Sequence, residues 1–242
     1  MSYRCLVCYM TLGYPNDEEF IEFINKSQKE GCDIYEIGIP TKYAKYDGPI
    51  IRRSYKKVFD EKIDFIDLLK KLPNIKKLIA LTYLEDQIND FDSFLNIIRD
   101  KFNGVLLPDL LIDYLDYLDY YHKKINEFGL KNVIFTTPTF PDKLISKVSE
   151  MSGEFLYYGL RPTTGIELPI SPDALVSRVR GIVNNKLIVG FGLSLNDIKN
   201  VLKAGADGIA IGSAFIQRIE TNGIDYAIDL VRELRGILDE FK

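Results

Sequence analysis

Short apolar runs alternate with amphipathic stretches along this chain, at intervals of about 30 residues. The runs span Cys5 to Met10, Asp33 to Ile37, Leu78 to Tyr83, Gly104 to Leu107, Val133 to Thr136, Phe155 to Tyr158, Leu187 to Gly190 and Gly208 to Ile211. They are nearly continuous in apolar character, so a sheet built from them has to be covered on both faces. Between them, Asp17 to Lys29, Gln87 to Lys101 and Asn196 to Lys203 carry apolar residues at helical spacing, as in Phe20, Ile21, Phe23 and Ile24. Strands that alternate with helices form parallel sheets. Eight such units in 242 residues predict an α/β chain folded as a single (β/α)8 TIM barrel, one domain over residues 1–242. An open doubly wound sheet has the same periodicity, which does not reveal closure.

Composition removes several classes of function. No linker, low-complexity tract or charge shift divides the chain, and 46% hydrophobic residues at this length supply a sizeable core. A net charge of −4 with lysines and arginines interspersed among acids predicts no nucleic-acid surface. Apolar runs of signal-peptide or membrane length are absent from the sequence, so the cytoplasm is the expected location. Cys5 and Cys8 match C-x-x-C inside an apolar strand, where a separation of three sends the thiols to opposite faces; with Cys32 they read as buried small hydrophobes. The only histidine, His122, sits among Tyr120, Tyr121, Lys123 and Lys124 and reads as a surface residue. Late in a predicted helix and away from the strand ends, it is not expected to serve as a zinc ligand or as the base of a Ser-His-Asp triad.

In a barrel, chemistry sits where strands end and helices begin. Glu36 ends the second predicted strand, and Asp47 follows on the Gly/Pro-punctuated loop after it, in Glu36-Ile37-Gly38-Ile39-Pro40 and Asp47-Gly48-Pro49. Two carboxylates brought to one pocket divide acid and base roles if their surroundings separate their pKa values. Gly190-Phe191-Gly192-Leu193-Ser194 ends the seventh strand and Gly212-Ser213 the eighth, where this fold commonly holds a phosphate on backbone N–H groups and a helix N-terminus. Gly192, Leu193, Gly212 and Ser213 are therefore candidate phosphate-binding residues.

These residues together resemble the tryptophan synthase alpha subunit family. Thr11-Leu12-Gly13-Tyr14-Pro15 is similar to its T-L-G-x-P, Glu36 to Pro40 to its E-x-G-x-P, and Asp47-Gly48-Pro49 to its D-G-P. Pro108-Asp109 stands at the family's fourth-strand aspartate, Thr164-Gly165 at the end of its sixth loop, and Gly190-Phe191-Gly192 and Gly212-Ser213 at its phosphate loops. The resemblance runs from the first strand to the last helix. It implies a lyase of tryptophan biosynthesis that cleaves indole-3-glycerol phosphate to indole and glyceraldehyde 3-phosphate by a retro-aldol step, without metal or Schiff base. Glu36 would shuttle protons to indole C3 and from the glycerol hydroxyl, and Asp47 would accept the indole N–H. Gly165 joins the phosphate-binding set, and Tyr9, Tyr83, Tyr157, Thr164 and Phe191 become candidates for the indole slot and its loop. No cofactor is implied in this chain; pyridoxal phosphate belongs to the partner beta subunit.

The chain also departs from the family pattern. Thr41-Lys42-Tyr43-Ala44-Lys45-Tyr46 replaces the usual S-D-P-x-A, the sixth loop is a residue shorter and contains Pro162, and the first strand starts almost at Met1. Lys42 and Lys45 are expected to meet acidic groups on the beta subunit. The period-three run Asp113 to Tyr121 reads as a half-packed, half-solvated helix. A related indole-3-glycerol-phosphate synthase would need a strand-end lysine and a sugar-phosphate epimerase a histidine-bound metal, and neither is present. The remaining alternative is a non-catalytic subunit that binds the phosphate ligand and activates a synthase.

Overall fold

The computed structural model describes residues 3–161 and 170–241. Among them nine strands are found: β1 Cys5–Thr11, β2 Ile34–Gly38, β3 Leu78–Leu81, β4 Gly104–Leu106, β5 Lys131–Val133, β6 Phe135–Thr136, β7 Leu156–Gly159, β8 Leu187–Gly190 and β9 Gly208–Ile211. Every pairing between them is parallel, in the order β5-β4-β3-β2-β1-β9-β8-β7-β6. The two ends of that order, β5 and β6, are consecutive pieces of chain separated only by Ile134. They make one stave of the barrel, so the ladder closes on itself with eight staves. An open sheet is thereby ruled out.

The apolar runs become strands because both of their faces are covered. All seven residues of β1 are buried, as are all five of β2 and all four of β8 and of β9. One face fills the barrel and the other receives the helices, through Phe20, Phe23 and Ile24 of the helix Asp17–Lys29 and Phe215 and Ile216 of the helix Ser213–Asn222. Asn16 caps the first of these, its side chain accepting from Glu19 N at 3.0 Å. At the barrel's lower rim, Asp33 Oδ2 accepts from Leu6 N at 2.8 Å and Arg235 at 3.0 Å, and Asp207 Oδ2 from Leu187 N at 2.9 Å and Arg180 at 2.8 Å. These carboxylates tie strand starts to helices at the end of the barrel away from the phosphate loops.

Several local expectations change. Three helices are broken: Gln87 to Lys101 becomes Leu84–Gln87 and Phe91–Ile98, and a 3-10 turn, Leu195–Asp197, precedes Ile198–Lys203. Asp113 to Tyr121 divides among Leu110–Asp113, the 3-10 turn Leu115–Tyr117 and Leu118–Glu127, leaving Tyr117 and Tyr120 exposed and Tyr121 buried. His122 is half-buried, bonded to Asn126 at 3.0 Å, and burial lowers its pKa. The cysteines are free and buried, as expected. No described helix is long and apolar enough to cross a membrane.

Candidate active site

Acidic, aromatic and glycine residues converge at the upper ends of β1, β2, β8 and β9. A cavity of about 210 Å³ opens there, lined by Glu36 and Asp47 on one side, Gly192, Leu193, Gly212 and Ser213 on the other, and Tyr9, Tyr157, Phe191, Leu81 and Ile211 between. Glu36 stands in the middle of β2, not at its end, because the strand runs on to Gly38. It faces the interior beside its register partner Tyr9.

Glu36 is 2% exposed, and its carboxyl makes no hydrogen bond to any described residue. Burial, reinforced by the nearby charge of Asp47, pushes its pKa up to about 8. Asp47 is 7% exposed, and burial raises it to about 7 against the opposing pull of the Tyr83 hydrogen bond and the Arg52 charge. Both carboxyls are therefore held well above the ordinary carboxylate range. The charge of Asp47 disfavours a charged Glu36, while Tyr83 and Arg52 favour the charged form of Asp47, so the surroundings push toward a protonated Glu36 beside an ionised Asp47, the division that acid and base roles require.

Asp47 is held by groups that a linear reading does not connect with it. Tyr83 Oη donates to Asp47 Oδ2 at 3.0 Å, and Tyr83 is fully buried behind the carboxylate, outside the cavity wall. Its place in an indole slot is corrected accordingly: it orients Asp47. Tyr46 stacks on Tyr83 with ring centroids 6.2 Å apart and donates to Asp113 at 2.8 Å. Lys45 bridges Glu85 at 2.6 Å and Asp113 at 3.0 Å, while Lys42 N and Tyr43 N donate to Asp86. Asp109 accepts from Leu84 N and Glu85 N at 2.9 and 3.0 Å, fixing the short helix that carries Glu85 and Asp86. Lys45 is thus already paired within the chain and is not free for a partner's acid; Lys42 makes no ion pair among the described residues. Sequence reasoning missed Tyr46, Asp86 and Asp113, and exposed-looking acids and tyrosines gave no signal of their joint task.

The opposite wall is built for an anion. Gly212 precedes the helix Ser213–Asn222; its carbonyl accepts from Phe215 N and Ile216 N, so the N–H groups of Ser213 and Ala214 are the ones left to meet an anion. A Cβ at Gly212 would lie 2.9 Å from the Tyr9 ring, so only glycine lets this backbone approach both the ring and a ligand. Phe191 at φ 50° and Gly192 at φ 93° make the tight turn after β8, and a non-glycine residue in that region marks strain kept for a purpose. Phe191 meets Phe135 edge-on at 5.1 Å. Tyr9, Tyr157 and Phe191 line the cavity; Thr164 and Gly165 lie outside the described residues.

The family described as "Tryptophan synthase alpha chain" matches residues 2–240. The chain belongs to the tryptophan synthase alpha chain family. It is 54% identical to the tryptophan synthase alpha chain of Saccharolobus solfataricus, covering 99% of this chain and 98% of that one, and 56% identical to that of Sulfurisphaera tokodaii, covering 98% and 99%. A solved structure from Aquifex aeolicus superimposes with a TM-score of 0.82 at 26% identity, over 98% of this chain and 93% of that one. The fold is also shared with a tryptophan synthase from M. tuberculosis, at a TM-score of 0.81, 22% identity, and coverage of 98% and 94%. As a tryptophan synthase alpha chain, the molecule is a catalytic alpha subunit and a lyase of tryptophan biosynthesis. The alternative of a non-catalytic activator falls with that membership.

Proposed function

We propose that Glu36 and Asp47 perform the retro-aldol cleavage of indole-3-glycerol phosphate in this chain. One observation carries the assignment: two buried carboxyls, each raised by burial but with different partners, share a cavity with a glycine-lined helix N-terminus. Asp47, ionised and held by Tyr83, accepts the indole N–H and stabilises the cation formed when C3 is protonated. Protonated Glu36 supplies that proton, and the resulting carboxylate takes the proton of the glycerol hydroxyl as the carbon–carbon bond breaks. Indole and the aldehyde are the products. Tyr9, Tyr157 and Phe191 enclose the ring, and Gly192, Leu193, Gly212 and Ser213 bind the phosphate, with Gly165 and Thr164 assigned there by resemblance to the family. These steps use the chain's own acid and base groups; pyridoxal phosphate is placed in the partner beta subunit. The cytoplasm is the proposed location.

The phosphate wall is tested by ligand discrimination. Ser213→Ala removes one hydroxyl from the helix start and should weaken glycerol 3-phosphate binding by about threefold to tenfold while leaving free indole unchanged. Gly212→Val should cost more, and for both ligands, because its first side-chain atom also presses on Tyr9. Calorimetric titration of each variant with each ligand checks this. Equal loss of both ligands in Ser213→Ala rejects the assignment.

The chain is further proposed to be a slow enzyme alone, accelerated when a beta subunit docks on the catalytic face and receives the indole. Steady-state indole formation should rise on adding the beta subunit. With Lys42 the loop's unpaired cation and Lys45 engaged internally, that gain should decline with ionic strength. No gain with any beta subunit rejects the coupling, and a salt-independent gain rejects only the part given to Lys42.

A further inference from the structure

Tyr9, Thr11 and Ser54 form a chain of buried hydroxyls beside the carboxyl pair. Tyr9 Oη lies 3.0 Å from Thr11 Oγ1, and Thr11 Oγ1 lies 2.6 Å from Ser54 Oγ, which donates to Ile51 O at 2.7 Å. That last bond sets the direction of all the others. Ser54 spends its only proton on the carbonyl, so it accepts from Thr11, and Thr11 in turn accepts from Tyr9. Tyr9 therefore has no proton left for substrate or for Glu36.

We propose that this hydroxyl chain positions Asp47, by tying the helix that follows it to the same strand pair that carries Glu36. The inference rests on the reading of Asp47 as a catalytic group. Tyr9 and Thr11 lie on β1, and Tyr9 is the register partner of Glu36 on β2. Ser54 lies in the helix Pro49–Asp60, which begins two residues after Asp47. One end of the chain is thus referenced to Glu36 and the other to Asp47.

Satisfaction of polar atoms does not account for the arrangement. Ser54 already bonds the carbonyl three residues back, which is enough for a serine within a helix. Instead, its acceptor side is used to reach a strand across the interior, 43 residues away in sequence. The Tyr9 hydroxyl occupies the space that a side chain at position 38 would fill, a Cβ there falling 2.2 Å from it, so Gly38 makes room for the hydroxyl chain. Tyr55 Oη, buried next to it, makes no bond of standard geometry and closes the remaining side. Asp47 is consequently held twice, at its carboxylate by Tyr83 and at its backbone by the helix that Ser54 anchors. An error of about 1 Å in a reacting group costs up to roughly 10²-fold in rate, so such a tether bears on turnover and not on stability alone.

The test compares Ser54→Ala, Thr11→Val and the double variant in the full chain. Each single change should lower kcat about tenfold and leave glycerol 3-phosphate affinity within about twofold, because the phosphate wall is built from other strands. The double variant should be no slower than the worse single one, and Ser54→Thr should recover most of the rate. A structural role alone would lower the melting midpoint, leave kcat per folded molecule unchanged and give additive effects; that outcome overturns the proposal. Thr11→Val keeps the shape of the side chain and removes only the hydroxyl that reaches Ser54, so it supplies the same readout if Ser54→Ala does not fold. Asp47→Asn is the reference: wild-type turnover there rejects the reading of Asp47 itself, whereas a slow Asp47→Asn beside a fast Ser54→Ala rejects only the tether.

Discussion

Replacing Glu36 with glutamine should lower cleavage of indole-3-glycerol phosphate by roughly 10²-fold or more while substrate continues to bind. The amide keeps the shape of the side chain but has no proton to deliver to C3 and no carboxylate with which to take one back. No second acid stands ready to replace it, because Asp47 is engaged by Tyr83 and Tyr9 has committed its proton to Thr11. Indole release measured beside substrate affinity separates the two effects. Turnover like that of the parent chain would reject Glu36 as the proton shuttle. Asp47→Asn should be the milder change, since an amide oxygen still accepts the indole N–H.

The same substitution should make the protein more stable, and increasingly so as pH rises. Glu36 is raised from an ordinary 4.5 to about 8 and Asp47 from 3.8 to about 7, in each case chiefly by burial. A carboxyl with a raised folded-state pKa favours the folded state fully below its unfolded value. That contribution is lost as pH rises through the folded value, because the unfolded chain releases its proton first. Glu36→Gln removes one such titration. Relative to the parent, it should gain little at pH 4 and on the order of 3 kcal/mol above pH 8, a discount on the full shift. Urea unfolding of both proteins across that range checks this, and a pH-independent gap would mean that Glu36 is not buried as described. Activity and stability would then be opposed at one side chain, as expected of a site that keeps an unpaired carboxyl under an apolar wall.

The sites legible in the sequence were those whose chemistry is local. Gly212-Ser213 reads as an anion site because a glycine before a helix start is a contiguous pattern. Glu36 reads as functional because a carboxylate inside an apolar run has no ordinary structural use. Tyr83 was misread as part of the ring pocket, since nothing near residue 83 indicates that its hydroxyl meets a carboxylate 36 positions earlier. Lys45 was misread as a partner contact for the same reason: Glu85 and Asp113 reach it only after β3 and β4 are laid beside β2. The helix boundaries failed differently, because apolar spacing persists through Ile88 to Asp90 although the backbone turns there.

By itself the sequence determined that eight strand–helix units would bury a parallel sheet on both faces, because uninterrupted apolar strands admit no solvated side. It also determined which residue types stand at the phosphate turns and which two carboxyls lie close along the chain. Tertiary structure alone decided that the sheet closes, since closure depends on β5 and β6 meeting from opposite ends of the ladder. It alone decided the protonation of the pair as well. A carboxyl's pKa is set by the water removed and the charges gathered around it, and those belong to the folded space between strands rather than to the order of residues.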